Sequence, residues 1–161
     1  MKTRQKLSAP ETRKGSYDAF LSHSTRVLPE DSELVERLVH ALRRRGLRIF
    51  FDGLHFQDGD PLIGGIEGAI AASAAGLVVH TRAALASGWV EFERICMARR
   101  RLTGGLRMIA LQLDPNCPLP PGVSWDAILQ VRNRADLSRL ADDVAEAVLQ
   151  LTSKRLQNEP G

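Results

Sequence analysis

Four short apolar runs alternate with segments whose apolar residues recur at helical spacing, and a fifth run follows a proline-rich loop. The runs are Tyr17 to Ser22, Leu47 to Asp52, Gly76 to His80, Leu106 to Leu113 and the weaker Ala127 to Val131. Continuous apolar runs of this length suit strands buried on both faces, which is the pattern of parallel sheets. Strands alternating with helices then imply an α/β fold: a doubly wound, five-stranded parallel sheet with helices on both faces and right-handed crossovers.

The helical segments carry their own boundaries. Glu30 to Arg45 spaces Leu34, Leu38 and Leu42 on one face, opens with acids, and closes with Arg43-Arg44-Arg45 before Gly46. Gly88 to Arg101 closes in the same way, with Arg99-Arg100-Arg101 ahead of Gly104-Gly105. Cations in the last turn and glycine just beyond it complement the helix dipole and terminate the helix. The arginine triplets are therefore helix ends rather than phosphate grips. Leu62 to Ser73 and Leu137 to Leu151 supply the remaining helices.

The chain has 161 residues, room for one domain of ~150. Residues 1–15 are polar and basic without periodicity, so they read as a disordered tail, residues 16–152 as the domain, and 153–161 as a polar C-terminal tail. Lys and Arg total 22 against 19 Asp and Glu, a net charge of +3. So small an excess does not argue for a nucleic-acid partner. The longest apolar stretch, Ala69 to Val79, is too short for the ~20 residues of a bilayer span, and no apolar segment follows the basic N-terminus as a signal peptide would require. Cys96 and Cys117 form no CxxC pair, and both are expected to be reduced. The expected setting is cytoplasmic, without membrane contact.

Open parallel sheets bind ligands outside the carboxyl ends of their strands, at the point where strand order reverses. That rule selects Ser22, His23 and Ser24 after the first strand, Asp52 and the long loop Gly53 to Pro61 after the second, and His80, Thr81 and Ser87-Gly88-Trp89 after the third. No Walker A, GxGxxG, HExxH or GxSxG motif is present, and the four histidines are too scattered for a metal site. The sharpest local feature is Ser87-Gly88-Trp89-Val90-Glu91-Phe92-Glu93. Trp89 and Glu93 are four apart and share a helix face, while Glu91 points elsewhere. An aromatic plane beside a carboxylate fits a ribose or ring site; equally, acids are favoured near helix N-termini and a Trp is commonly core.

These residues resemble the Toll/interleukin-1 receptor (TIR) domain, particularly its bacterial members. The likeness spans Tyr17 to about Leu151. It rests on Tyr17-Asp18-Ala19-Phe20-Leu21-Ser22-His23, similar to the family's D-x-F-[IL]-S-[YH] box, and on Phe51-Asp52 followed by Gly59-Asp60, Ile66, Ala69, Ile70 and Ser73. Ser87-x-Trp89 with Glu93 completes it. The family's sheet is flavodoxin-like, in agreement with the reading above. The chain departs from the pattern at Val79-His80-Thr81, where Ser-Pro is common, and in the added Thr25 to Pro29.

What the resemblance implies is an enzyme that cleaves NAD+ at the nicotinamide–ribosyl bond, yielding nicotinamide and ADP-ribose or a cyclic isomer, in a setting such as anti-phage defence signalling. Glu93, four residues after Trp89, matches the family's catalytic glutamate. Phe20, His23, Ser24, Asp52, Leu54, Ser87 and Trp89 match positions that line the nucleotide. The loop carrying Phe56, Asp58, Gly59 and Asp60 matches the segment through which neighbouring domains assemble. NAD+ is substrate, so no separate cofactor or metal is implied; a downstream effector or a fused module is the further partner. One carboxylate suffices for this chemistry. Glycosidases use a second to protonate the leaving oxygen, whereas nicotinamide departs from an already cationic pyridinium, leaving only the oxocarbenium-like ribose to be stabilised electrostatically. The alternative is a non-enzymatic TIR–TIR interaction domain.

Overall fold

A computed structural model of the chain describes residues 16–24, 29–51, 62–86, 88–120 and 123–157. Along the chain come β1 (Tyr17–Ser22), α1 (Pro29–Arg44), β2 (Ile49–Phe51), α2 (Leu62–Ala71), β3 (Ser73–His80), a short α3 (Arg82–Leu85), α4 (Gly88–Leu102), β4 (Arg107–Gln112), β5 (Ala127–Gln130) and α5 (Leu137–Gln157). The strands form one sheet in the order β2-β1-β3-β4-β5, and every neighbouring pair is parallel. The chain moves outward from β1 to β2 and then returns across β1 to β3, so strand order reverses between β1 and β3.

Period-two alternation splits the strand side chains between two apolar layers. Ala19 and Leu21 of β1 pack with Leu34, Leu38 and Leu42 of α1 and with Leu140, Val144 and Val148 of α5. Phe20, Val78 and Met108 face the other way, against Ile66 and Ile70 of α2 and Val90 and Met97 of α4. The sheet is thus covered on both sides, as its near-continuous apolar strands require.

Both arginine triplets end helices as the sequence predicts. Gly46 has φ +86° and Gly104 φ +75°. The Gly46 N–H donates to Arg43 O at 3.0 Å and the Leu47 N–H to Leu42 O at 3.2 Å. After α4 the pair recurs, from Gly104 to Arg101 O and from Gly105 to Arg100 O, both at 2.9 Å. These are Schellman caps, in which glycine takes a left-handed conformation that costs other residues more.

The boundaries differ from expectation in three places. β3 starts at Ser73, which pairs with Tyr17 while its hydroxyl donates to Ala69 O at 2.7 Å; that bond helps end α2 ahead of the strand. α3 has only four residues, too few to show a period. It exists because Thr81 Oγ1 accepts from the Ala84 N–H at 3.1 Å. The segment from 153, read as a polar tail, is helical as far as Gln157, since adding a residue to a nucleated helix is far easier than starting one.

Asp126 fastens the amino end of the sheet. The Arg101 guanidinium donates to both of its carboxylate oxygens at 3.0 Å, the Met108 N–H donates at 2.8 Å, and the Asp126 N–H returns a bond to Met108 O at 2.8 Å. Burial works to raise the pKa of this carboxyl, but the bonds from Arg101 and Met108, with the charges of Arg101 and Arg107, bring it below the ordinary range.

Candidate active site

Ser22 is the last residue of β1 and follows Phe20 on the α4 side of the sheet. It pairs in register with Val78 of β3, so it lies at the carboxyl end of the sheet, where the strand order reverses. From α4, Glu93 reaches the same point. The Ser22 hydroxyl donates to Glu93 Oε2 across a separation of 71 residues. Both residues are fully buried, each 0% exposed.

The position of Glu93 follows from how α4 meets the sheet. Val90, Glu93 and Met97 fall at helical spacing on one face, and all three are buried. Met97 lies over Gly76 of β3, where an added Cβ would stand 2.5 Å from its Sδ and 3.2 Å from its Cγ. A bare backbone at this position lets the helix come close. One turn earlier, the same stripe turns Glu93 inward beside Ser22. Glu91 faces outward and sits 3.9 Å from Arg94, as the sequence spacing anticipates.

An inward glutamate is costly, because taking a carboxylate out of water requires compensating hydrogen bonds, and Glu is almost never fully buried unless paired. Its charge acts on its neighbours. On the same helix, burial and then the charges of Glu67 and Glu93 push the Cys96 thiol up, against the opposing pull of Arg99.

The remaining sequence-selected residues separate into groups. Phe20 is buried on the Glu93 side, its ring stacked on Phe50 with centroids 5.2 Å apart. His23 is turned toward the other layer: its ring lies 4.7 Å from that of Phe51, which belongs to the α1–α5 core. Ser24 is buried. Trp89 stands in the first turn of α4, one turn ahead of Glu93, with its side chain outside the described residues. Ser87, Asp52, Leu54, Phe56, Asp58, Gly59 and Asp60 also lie outside them.

Toward β4 and β5 the carboxyl edge is closed by structural bonds. His80 Nε2 lies 2.8 Å from Pro118 O and Cys117 Sγ 3.9 Å from the same nitrogen. Gln112 donates to Cys117 O at 2.7 Å, and Gln130 donates to Gln112 Oε1 at 3.1 Å. Arg134 joins Leu113 O at 3.1 Å to Asp31 in the first turn of α1. His80 and Thr81 therefore hold the loop and cap α3. A cavity of about 260 Å³ beside α5, lined by Gln130, Arg132, Asn133 and Arg139, lies apart from Glu93. Among the described residues no group of three or more His, Cys, Asp or Glu side chains could hold a metal ion.

Sequence reasoning selected Ser22 by its strand-end position but assigned it no role. The available signal was its alternation with Phe20, which puts it on the α4 side; its partner becomes visible only once α4 is docked.

A five-stranded parallel sheet ordered 2-1-3-4-5 with helices on both faces defines a flavodoxin-like α/β fold. The sequence model of the TIR domain matches residues 19–152, and the chain belongs to the TIR domain family. It is 31% identical over 143 residues to the probable 2' cyclic ADP-D-ribose synthase TcpB of Brucella melitensis, covering 88% of this chain and 50% of that protein. It is 26% identical over 140 residues to the NAD(+) hydrolase TcpA of a Theionarchaea archaeon, covering 86% and 41%. Among solved structures, the metazoan TIR-STING receptor of C. gigas in complex with 2',3'-cGAMP superposes with a TM-score of 0.62 at 24% identity, covering 88% of this chain and 42% of that one; at that identity the likeness is one of fold. The chain spans about half or less of the length of these curated relatives. No helix among the described residues is long and apolar enough to cross a membrane.

Proposed function

We propose that this domain cleaves NAD+ at the nicotinamide–ribosyl bond, with Glu93 as the catalytic carboxylate. The observation that carries the reading is a fully buried glutamate, held by a strand-end hydroxyl at the reversal point of a TIR fold. The relatives' names, an NAD(+) hydrolase and a cyclic ADP-ribose synthase, support the substrate and the bond broken.

In the proposed reaction the bond from the ribose anomeric carbon to the pyridinium nitrogen breaks, and its electron pair neutralises the ring. Nicotinamide leaves without needing a proton. Positive charge collects on the ribose, and the Glu93 carboxylate stabilises it from a site with little water to screen the interaction. Attack by water, which gives up its proton to solvent, yields ADP-ribose. Attack by a hydroxyl of the same nucleotide, which likewise gives up its proton to solvent, yields a cyclic isomer.

Incubating the purified chain with NAD+ at high protein concentration and separating the products by chromatography tests the reading. Nicotinamide is expected from the wild type, and from Glu93→Gln at a rate lower by about 100-fold or more. Equal rates, or no nicotinamide from the wild type, would overturn it.

One observation favours a second reading, a domain that works by binding copies of itself without turnover. Ile95 and Leu102, seven residues apart on one face of α4, are 46% and 84% exposed. Self-association lost on Leu102→Glu, together with no NAD+ cleavage, would favour that alternative.

A further inference from the structure

We infer that Ser22 is a positioning residue whose hydroxyl sets the direction of the Glu93 carboxylate; the inference rests on Glu93 being the catalytic group. The two ends of the contact differ in rigidity. Ser22 closes β1, a strand flanked by β2 and β3, where it pairs in register with Val78 of β3, and its side chain has a single heavy-atom torsion. Glu93 has three torsions, and fixing such a side chain costs rotamer freedom. A hydroxyl anchored in the sheet orders the carboxylate before substrate arrives.

The α4 backbone is set independently, by Met97 seated over Gly76. Packing therefore fixes where the Glu93 Cα stands, and the Ser22 hydroxyl holds Oε2 of its carboxylate. An apolar pair would fill the same space at similar or greater stability, so packing does not account for a polar pair here.

The test is steady-state NAD+ cleavage by the full chain carrying Ser22→Ala, Ser22→Thr or Ser22→Val, with Glu93→Gln alongside and folding followed by circular dichroism. Thr and Val have the same shape and differ by the hydroxyl, so their comparison stands even if Ser22→Ala does not fold. Loss of the hydroxyl is expected to lower kcat by about 10- to 100-fold, the scale of a misplaced catalytic group, with KM within about threefold. Ser22→Thr is expected to recover most of the loss. Ser22→Val at wild-type kcat, or Thr and Val equally impaired, would overturn the role of Ser22 while an inert Glu93→Gln leaves the catalytic reading standing. An inert wild type, or a fully active Glu93→Gln, would overturn the catalytic reading and this inference with it.

Discussion

Met97 occupies the space that a side chain at Gly76 would need: a Cβ there would fall 2.5 Å from its Sδ, with Leu106 Cδ2 a further 3.4 Å contact. This contact sets the spacing between α4 and the sheet, and with it the depth of Glu93. Gly76→Ala should force Met97 aside. Because a methionine side chain can bend, the cost is expected at the low end of overpacking, about 1–2 kcal/mol, or roughly 2–8 °C in Tm for a chain of this size. Calorimetry checks it; an unchanged Tm would show that the gap closes without strain.

Glu93 is expected to lower stability rather than support it. Glu93→Gln keeps the shape and an acceptor for Ser22 while removing a charge from a fully buried position. Its Tm should equal or exceed that of the wild type, the trade-off seen where activity needs an unfavourable group. A fall of more than about 5 °C, roughly 2 kcal/mol, would mean that the charge is part of the structural framework.

Asp126 predicts an acid-sensitive clamp. Its folded pKa lies below its unfolded value, so its contribution is present above the ordinary carboxylate pKa of ~3.9. It is lost as pH falls through the lower folded value. Asp126→Asn should therefore be clearly less stable than the wild type at pH 7, with the gap narrowing below about pH 4. Denaturant melts at both pH values measure this, and a gap independent of pH would remove the charge from the explanation.

Cys96 offers a readout of Glu93 that needs no substrate. Burial and then the charges of Glu67 and Glu93 hold its thiol above the ordinary range, and only the thiolate reacts readily with alkylating agents. Labelling of Cys96 by iodoacetamide, followed by peptide mass spectrometry, should have its inflection at higher pH than a free thiol. The inflection should move down in Glu93→Gln. No movement would mean that the Glu93 charge does not reach the sulfur.

Much of the fold was legible in local pattern. The glycines after the arginine triplets marked two Schellman caps, and the apolar runs marked the strands, because both signals depend on residues within one turn or one strand. Short elements escaped: α3 depends on a single cap from Thr81, and Ser73 opens β3 through a pairing with Tyr17 that no local window contains. At the site, helical spacing correctly separated inward Glu93 from outward Glu91. Strand alternation, which sets Ser22 with Phe20, likewise sets His23 toward the opposite layer, where its ring meets Phe51.

The sequence by itself determined the alternation of elements, which faces of them are apolar and where two of the helices stop, because periodicity and capping are properties of neighbouring residues. Only the tertiary structure decided that β1 lies between β2 and β3 and that α4 descends onto Gly76. Those choices come from packing whole elements against one another. They bring Ser22 and Glu93, 71 residues apart, into one buried hydrogen bond, a contact that no local pattern encodes.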